Sequence, residues 1–466
     1  MMLTLYDFAN RRRHSRRNFL RIGSLGLGGL TLPQLLAQKA AGSEGGGGLT
    51  GKSVIFLFMH GGPSQIETFD PKMTAPSEIR STTGEISTTL PGITFGSTFT
   101  KLAQLTDYVS IVRSFTTGDS RHDIKPIVSR HSLDANLGSI FARVAGGNDP
   151  ETGMPTNCAL YPQAVDATTR PTTQNFGKFN SAGALGGSYA PFEPGQGGDL
   201  QQDMELNVPL ERLDDRRTLL AQLDRLRFGR DVAGVPAGGE RLREQAFDTI
   251  LGGVAEAFDI SKEDPRTIAR YDTSKISTPE NISKKWNNYN NYVDNGKSLG
   301  KLLLLARRLC ERGCGFVTIT TNFVWDMHAD QNNAGVVEGM QYMGLPFDNA
   351  VSAFIEDVRA RGLEQDILLV CCGEMGRTPK INKKGGRDHW GNLAPLLLSG
   401  GGLGMGRVIG QSTRDVSQPL SEPVTNDHLI STIMHTLFDV DTVRTTAGVP
   451  TDIARMLAAH APIAGL

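Results

Sequence analysis

The chain lacks any uninterrupted apolar run of the ~18 residues that a membrane-spanning helix needs, so no segment reads as integral to a membrane. It has no basic surplus. Lys and Arg number 48 and Asp and Glu 49. Residues 1–41 hold seven of the basic residues and one acid, which leaves 41 against 48, a net of −7, for the remainder. That balance excludes an electrostatic footprint for nucleic acid or an anionic membrane. Cysteine is scarce, with five residues, an odd number. Cys371 and Cys372 are adjacent inside an apolar run, where a bridge between them is sterically awkward. Cys310 and Cys314 stand four apart without a second pair or a nearby His, which argues against zinc. The cysteines read as buried thiols, not as a disulfide framework.

What is present begins at the N-terminus. Ser15-Arg16-Arg17-Asn18-Phe19-Leu20 matches a twin-arginine export signal. A mild apolar stretch, Ile22 to Leu36, follows, too short and glycine-rich to anchor stably. Small residues at Ala37, Ala40 and Ala41 offer a cleavage region. The expected organisation is a signal peptide over residues 1–41, a flexible spacer over 42–52 and one domain over 53–466. The expected destination is periplasmic or extracellular, reached through the twin-arginine machinery.

Within the domain, Ser53 to Met59 is a continuous apolar run of the kind found in strands buried on both faces of a parallel sheet. Further strands are expected at Tyr108–Ser114, Cys158–Tyr161, Phe316–Thr321, Ile367–Cys372 and Leu396–Leu398. Helices are expected at Glu211–Phe228, Ser298–Arg312, Phe347–Arg361 and Asp427–Phe438, from apolar residues near helical spacing. Alternation of strand and helix predicts an α/β fold, a central and mainly parallel sheet with helices on its faces. The Gly-, Pro- and Asn-rich region 145–295 reads as insertions and a cap on that core.

Three of the expected strands end in polar clusters. Ser53–Met59 runs into His60-Gly61-Gly62-Pro63, with Glu67 and Asp70 behind it. Phe316–Thr321 leads to Trp325-Asp326-Met327-His328. Ile367–Cys372 leads to Gly373-Glu374-Met375-Gly376-Arg377, and a loop then carries Arg387-Asp388-His389-Trp390. Ligands in open α/β sheets bind beyond the carboxyl ends of strands, and a set of carboxylates and imidazoles drawn from several strand ends suits a metal hydrolase. Asp326, His328, Glu374 and His389 are therefore expected to meet, with His60 and His122 as further members of the pocket. Asp70 or Asp388 would add oxygen for a hard ion.

These motifs resemble the exported bacterial family called domain of unknown function 1501, within the alkaline phosphatase and sulfatase-like superfamily. The carriers are the twin-arginine start, G-G-P-S-Q-I-E-T-F-D-P-K at Gly61–Lys72, W-D-M-H at Trp325–His328, G-E-M-G-R-T-P at Gly373–Pro379 and G-R-D-H-W-G at Gly386–Gly391. The resemblance implies an alkaline phosphatase-like sheet and a hydrolytic site centred on a divalent metal: zinc, calcium or manganese. It implies Asp326, His328, Glu374 and His389 as metal ligands. It implies an anionic substrate, a small phosphate or sulfate ester or a sulfated or phosphorylated glycan, whose charge Arg377, with Arg387 near it, would balance. Two departures matter. His60 and Gly61 stand where alkaline phosphatases have an Asp after the first strand. No cysteine stands in the C-x-P-S-R or C-x-A-x-R context of a formylglycine sulfatase. The superfamily's nucleophile opens a helix, and the matching stretch here is Thr116–Arg130. His122 and Asp123, then Ser120, are its reactive groups, with metal-activated water as the other choice. The rival expectation is a binding or assembly protein that kept the fold without the chemistry.

Overall fold

The computed structural model of the protein describes residues 5–7, 12–14, 48–195, 245–246, 249 and 254–466. The twin-arginine string and the helix expected at Glu211–Phe228 lie outside the described residues.

Seven strands form one sheet: β1 (Ser53–Phe58), β2 (Ser110–Val112), β3 (Asn157–Leu160), β4 (Phe316–Thr320), β5 (Ile367–Cys372), β6 (Leu396–Gly400) and β7 (Arg407–Ile409). Their spatial order is β7-β2-β6-β5-β1-β4-β3. The pairs β5/β1, β1/β4, β4/β3 and β7/β2 are parallel, and β6 runs antiparallel to both neighbours. The fold is α/β with a mostly parallel central sheet.

The alternation within β1 shows why the run lies at the centre. Val54, Phe56 and Phe58 enter one core, while Ile55 and Leu57 enter the other, and all six strand residues are buried. β5 divides in the same way, Leu368, Val370 and Cys372 against Ile367, Leu369 and Cys371. Period-two side-chain alternation makes a strand uniformly apolar only when both faces are covered. The first core takes its helical wall from α2 (Tyr289–Cys310) and α3 (Val336–Ala360). The second takes it from α1 (Leu137–Ala145) and α4 (Asn426–Leu437).

Both long helices start earlier than their apolar spacing predicted. In α2 the first turns carry Asn and Asp, and in α3 they carry Gly339, Gly344 and Pro346. These residues have poor helix propensity and hid the N-terminal halves, which tertiary burial secures. The expected helix within 116–130 is absent. That stretch forms turns, with a single 3₁₀ turn at Arg130–Ser132 and α1 beginning at Leu137. Gly118 at positive φ and Pro126, which has no N–H to donate, both oppose helix here.

All five cysteines are free thiols, four of them buried. No helix among the described residues is long and apolar enough to cross a membrane.

Candidate metal centre

The site sits where three adjacent strands end. β5, β1 and β4 run parallel and in register, Phe58 opposite both Cys372 and Thr320. His60 and Glu374 follow two residues beyond β1 and β5, and Asp326 follows β4 at the far side of a short loop. A fourth contribution comes from a small hairpin. Gly376–Arg377 pairs antiparallel with His389–Trp390, with Arg377 opposite His389. That pairing returns the chain and sets His389 beside the strand ends.

Asp326 Oδ1 is the hub. It lies 2.9 Å from His328 Nε2, 3.3 Å from His389 Nε2 and 3.4 Å from His122 Nε2. His328 Nε2 and His389 Nε2 are 2.7 Å apart. One donor atom from each of His122, Asp326, His328 and His389 falls within 4.8 Å of every other. Two zinc ligands at ~2.0–2.1 Å in a tetrahedron stand about 3.3 Å apart, a spacing the His389 and His122 contacts with Asp326 already hold, at 3.3 and 3.4 Å, while the 2.7 Å pair of His328 and His389 would have to open to take a small divalent ion.

A second layer of carboxylates orients the rings. His122 Nδ1 lies 2.8 Å from Glu374 Oε1, and His328 Nδ1 lies 3.2 Å from Asp388 Oδ1. A carboxylate accepts, so the ring donates through Nδ1 and the lone pair is left on Nε2, toward the donor group. His122 Nε2 is buried, and its approach to Asp326 makes no hydrogen bond. Such an orphaned nitrogen carries a desolvation penalty unless something occupies it. The Glu374 carboxylate is itself held by the Gly61 N–H at 3.0 and 3.2 Å. Gly61 has φ +111°, and a Cβ there would come within 2.6 Å of the Asp326 nitrogen. Only glycine lets the first strand's exit pass between Glu374 and Asp326.

The charges follow from these contacts. Burial raises the Asp326 pKa, but Arg377 and the three histidines outweigh it and hold the carboxyl far below its ordinary range. Burial lowers the His122 pKa, but Asp326 and Glu374 more than offset this, and the net shift is upward. His389 shifts downward, chiefly through burial. His60 is pushed down to about 4 by burial, and neither of its ring nitrogens has a hydrogen-bond partner. It is boxed by the rings of Phe58, Phe176, Phe179 and Phe323.

The expected residues are distributed as follows. Asp326, His328 and His389 share the donor group. Glu374 stands one hydrogen bond behind it, on His122, which lies within the group. Arg377 faces inward. Its five N–H donors reach Gly61 O, Gly62 O, Arg387 O, His328 Nε2 and Asp326 Oδ1, the last at 2.5 Å. Arg387 is fully buried on Glu67 at 2.9 Å and on four backbone carbonyls, where it braces the loop carrying Asp388 and His389. Neither guanidinium has a donor left for an incoming anion. Asp70 lies elsewhere, paired with Arg113 and Lys72. Asn333, unremarkable in a polar loop, was missed. Its Nδ2 donates to Asp326 Oδ2 at 3.0 Å and fixes the carboxylate plane.

No curated protein matches the chain by sequence. Among solved structures, Ps i-CgsB, crystallised with k-i-k-neocarrahexaose, shares 9% identity over 83% of this chain and 71% of its own, at a TM-score of 0.32. The lipoteichoic acid synthase LtaP from Listeria monocytogenes shares 8% over 87% and 76%, also at 0.32. The alkaline phosphatase of the Antarctic bacterium TAB5 shares 11% over 82% and 98%, at 0.25. These are remote likenesses. The family described as "Protein of unknown function (DUF1501)" matches residues 51–458, a span that includes every residue of the site, and the chain belongs to that family.

Proposed function

We propose that the protein is an exported metal-dependent hydrolase of phosphate or sulfate esters. One observation carries this reading. Three imidazole nitrogens and a carboxylate oxygen converge within 4.8 Å at the C-terminal ends of a parallel sheet, and one of those nitrogens is buried without a partner. Nitrogen and carboxylate donors in this number suit zinc or manganese better than calcium, which takes 6–8 oxygen ligands.

When bound, a divalent ion supplies Lewis-acid polarisation of the ester oxygen and a nucleophile at neutral pH. The chain supplies the rest. Asp326 stays ionised because Arg377 neutralises one side of it. Glu374 and Asp388 fix the tautomers of His122 and His328. Arg377 positions Asp326: its Nε and Nη2 donors are engaged on Gly62 O, Gly61 O and Asp326 Oδ1, while the Nη1 donor that reaches His328 Nε2 would be released when that nitrogen's single lone pair takes the ion. His122, His328 and His389, each half-buried, leave the outward side of the group accessible to an ester.

The test is metal content of the purified protein followed by turnover of aryl phosphate and aryl sulfate esters. The expected result is bound divalent metal and hydrolysis of one ester class, both lost in His389→Ala. Apoprotein that takes up no metal would refute the reading. One observation favours a non-catalytic binding protein: the donors of Arg377 and Arg387 are all engaged within the protein in this structure. Bound metal without turnover of either ester would select that second reading.

A further inference from the structure

Phe176 and Phe323 are two aromatic rings in contact with His122 of the donor group. Neither belongs to a hydrophobic core, and both are half-buried. They stack on each other with centroids 4.6 Å apart and planes 27° from parallel. Their other ring partners among the described residues are histidines. Phe323 meets His122 edge-on at 4.6 Å and His60 at 5.1 Å, and Phe176 meets the same two rings at 5.2 and 5.6 Å. His122 then touches His389 at 4.1 Å, and His389 touches His328 at 4.5 Å. A continuous row of rings thus runs from a partly exposed aromatic pair into the donor group.

Local backbone features hold the pair in place. Asn322, immediately before Phe323, sits at φ +64°, a left-handed conformation that costs a non-glycine residue free energy. Gly177, immediately after Phe176, is at φ +142°, and a Cβ there would lie 2.7 Å from Ile124 Cγ1. That close approach locks the Phe176 loop against the segment carrying His122. Leaving two large apolar rings at a polar site forgoes burial, which core packing does not explain.

We infer that the Phe176–Phe323 pair is the specificity-determining platform of the site, and that the substrate is an ester whose phosphate or sulfate is carried on a six-membered ring with a face to stack, either a planar aryl group or the C–H face of a pyranose chair. The inference rests on the hydrolase reading and narrows it. A ring laid against the pair brings its anionic substituent toward His122, the member of the donor group that both phenylalanines touch. An acyclic ester has no face to offer and gains nothing from the platform.

The test is calorimetric titration of the metal-loaded full chain with phenylphosphonate, with 6-deoxyglucose 6-phosphonate and with ethylphosphonate. At least one ring-bearing ligand is expected to bind about tenfold tighter than ethylphosphonate, the scale of one good ring contact. The tighter of the two identifies the ring as aryl or sugar. Phe176→Ala and Phe323→Ala should each erase the preference, and Phe176→Leu, which keeps the apolar volume, should retain only part of it. Equal affinity for all three ligands, or a preference that survives both alanine variants, overturns the inference. A parallel metal titration separates the two levels. Metal bound without ring preference overturns this inference alone, and failure to bind metal overturns the hydrolase reading with it.

Discussion

At the scale of single residues, Glu374 shows how burial dictates role. It is wholly inaccessible and accepts from the Gly61 N–H and from His122 Nδ1. A carboxylate so placed acts through the imidazole it orients, as outer-layer partners of metal-ligating histidines do. Glu374→Gln keeps the shape and removes the charge, and should weaken divalent metal binding about 10-fold to 100-fold. Competition with a chromophoric chelator measures this. Affinity equal to that of the unmodified protein would show that His122 does not need its carboxylate. The residue types at the site were legible in the sequence because Asp, Glu and His follow strands whose apolar runs end abruptly. Their division of labour was not legible. Spacing along the chain cannot tell that Arg377 folds back onto the Gly61 and Gly62 carbonyls, nor that Glu374 stands behind His122 and not among the donors.

At the scale of elements, strand β1 carries the site's first loop and divides the two cores. Phe56 is fully buried between β4 and β5. Phe56→Asp buries an unpaired carboxylate at a cost of several kcal/mol, a large part of the roughly 5–15 kcal/mol that holds a domain folded. Loss of soluble expression is the expected outcome, and a soluble variant with native circular dichroism would contradict a central β1.

The helices are tied together by an ion-pair network remote from the site. Arg307 on α2 bonds Glu263 at 2.6 Å and Asp357 on α3 at 3.0 Å, and Arg308 and Arg361 also reach Glu263. Burial raises the Glu263 pKa, but these guanidinium contacts outweigh it and bring the group down to about 2. A depressed folded-state value means that its stabilisation is complete above the ordinary value near 4.5 and fades as pH falls toward 2. Urea midpoints measured between pH 6 and pH 3 should therefore fall less steeply in Glu263→Gln than in the unmodified protein. Parallel curves would show that the network contributes nothing to acid sensitivity.

At the scale of the whole molecule, the sheet was the most legible feature. Ile367–Cys372 and Ser53–Phe58 stood out because doubly covered strands must be apolar throughout. Strand order was not legible, since the antiparallel insertion of β6 between β2 and β5 depends on long-range pairing that no local pattern encodes. The proposed export belongs to this scale too. A twin-arginine passenger crosses the membrane folded, which suits a protein with five free thiols and a cluster from distant strands that could hold a metal. Replacing Arg16 and Arg17 together by Lys should strand the protein in the cytoplasm, as read by cell fractionation. Unchanged export would remove the twin-arginine assignment.

His122, Asp326, His328 and His389 are proposed to hold one divalent ion. The most direct measurement is an anomalous difference map from crystals soaked in zinc or manganese. A single strong peak is expected at about 2.0–2.2 Å from Asp326 Oδ1 and the Nε2 atoms of His328 and His389, with His122 Nε2 as the fourth ligand. A map with no peak at these four residues, with the metal elsewhere or absent, would contradict it.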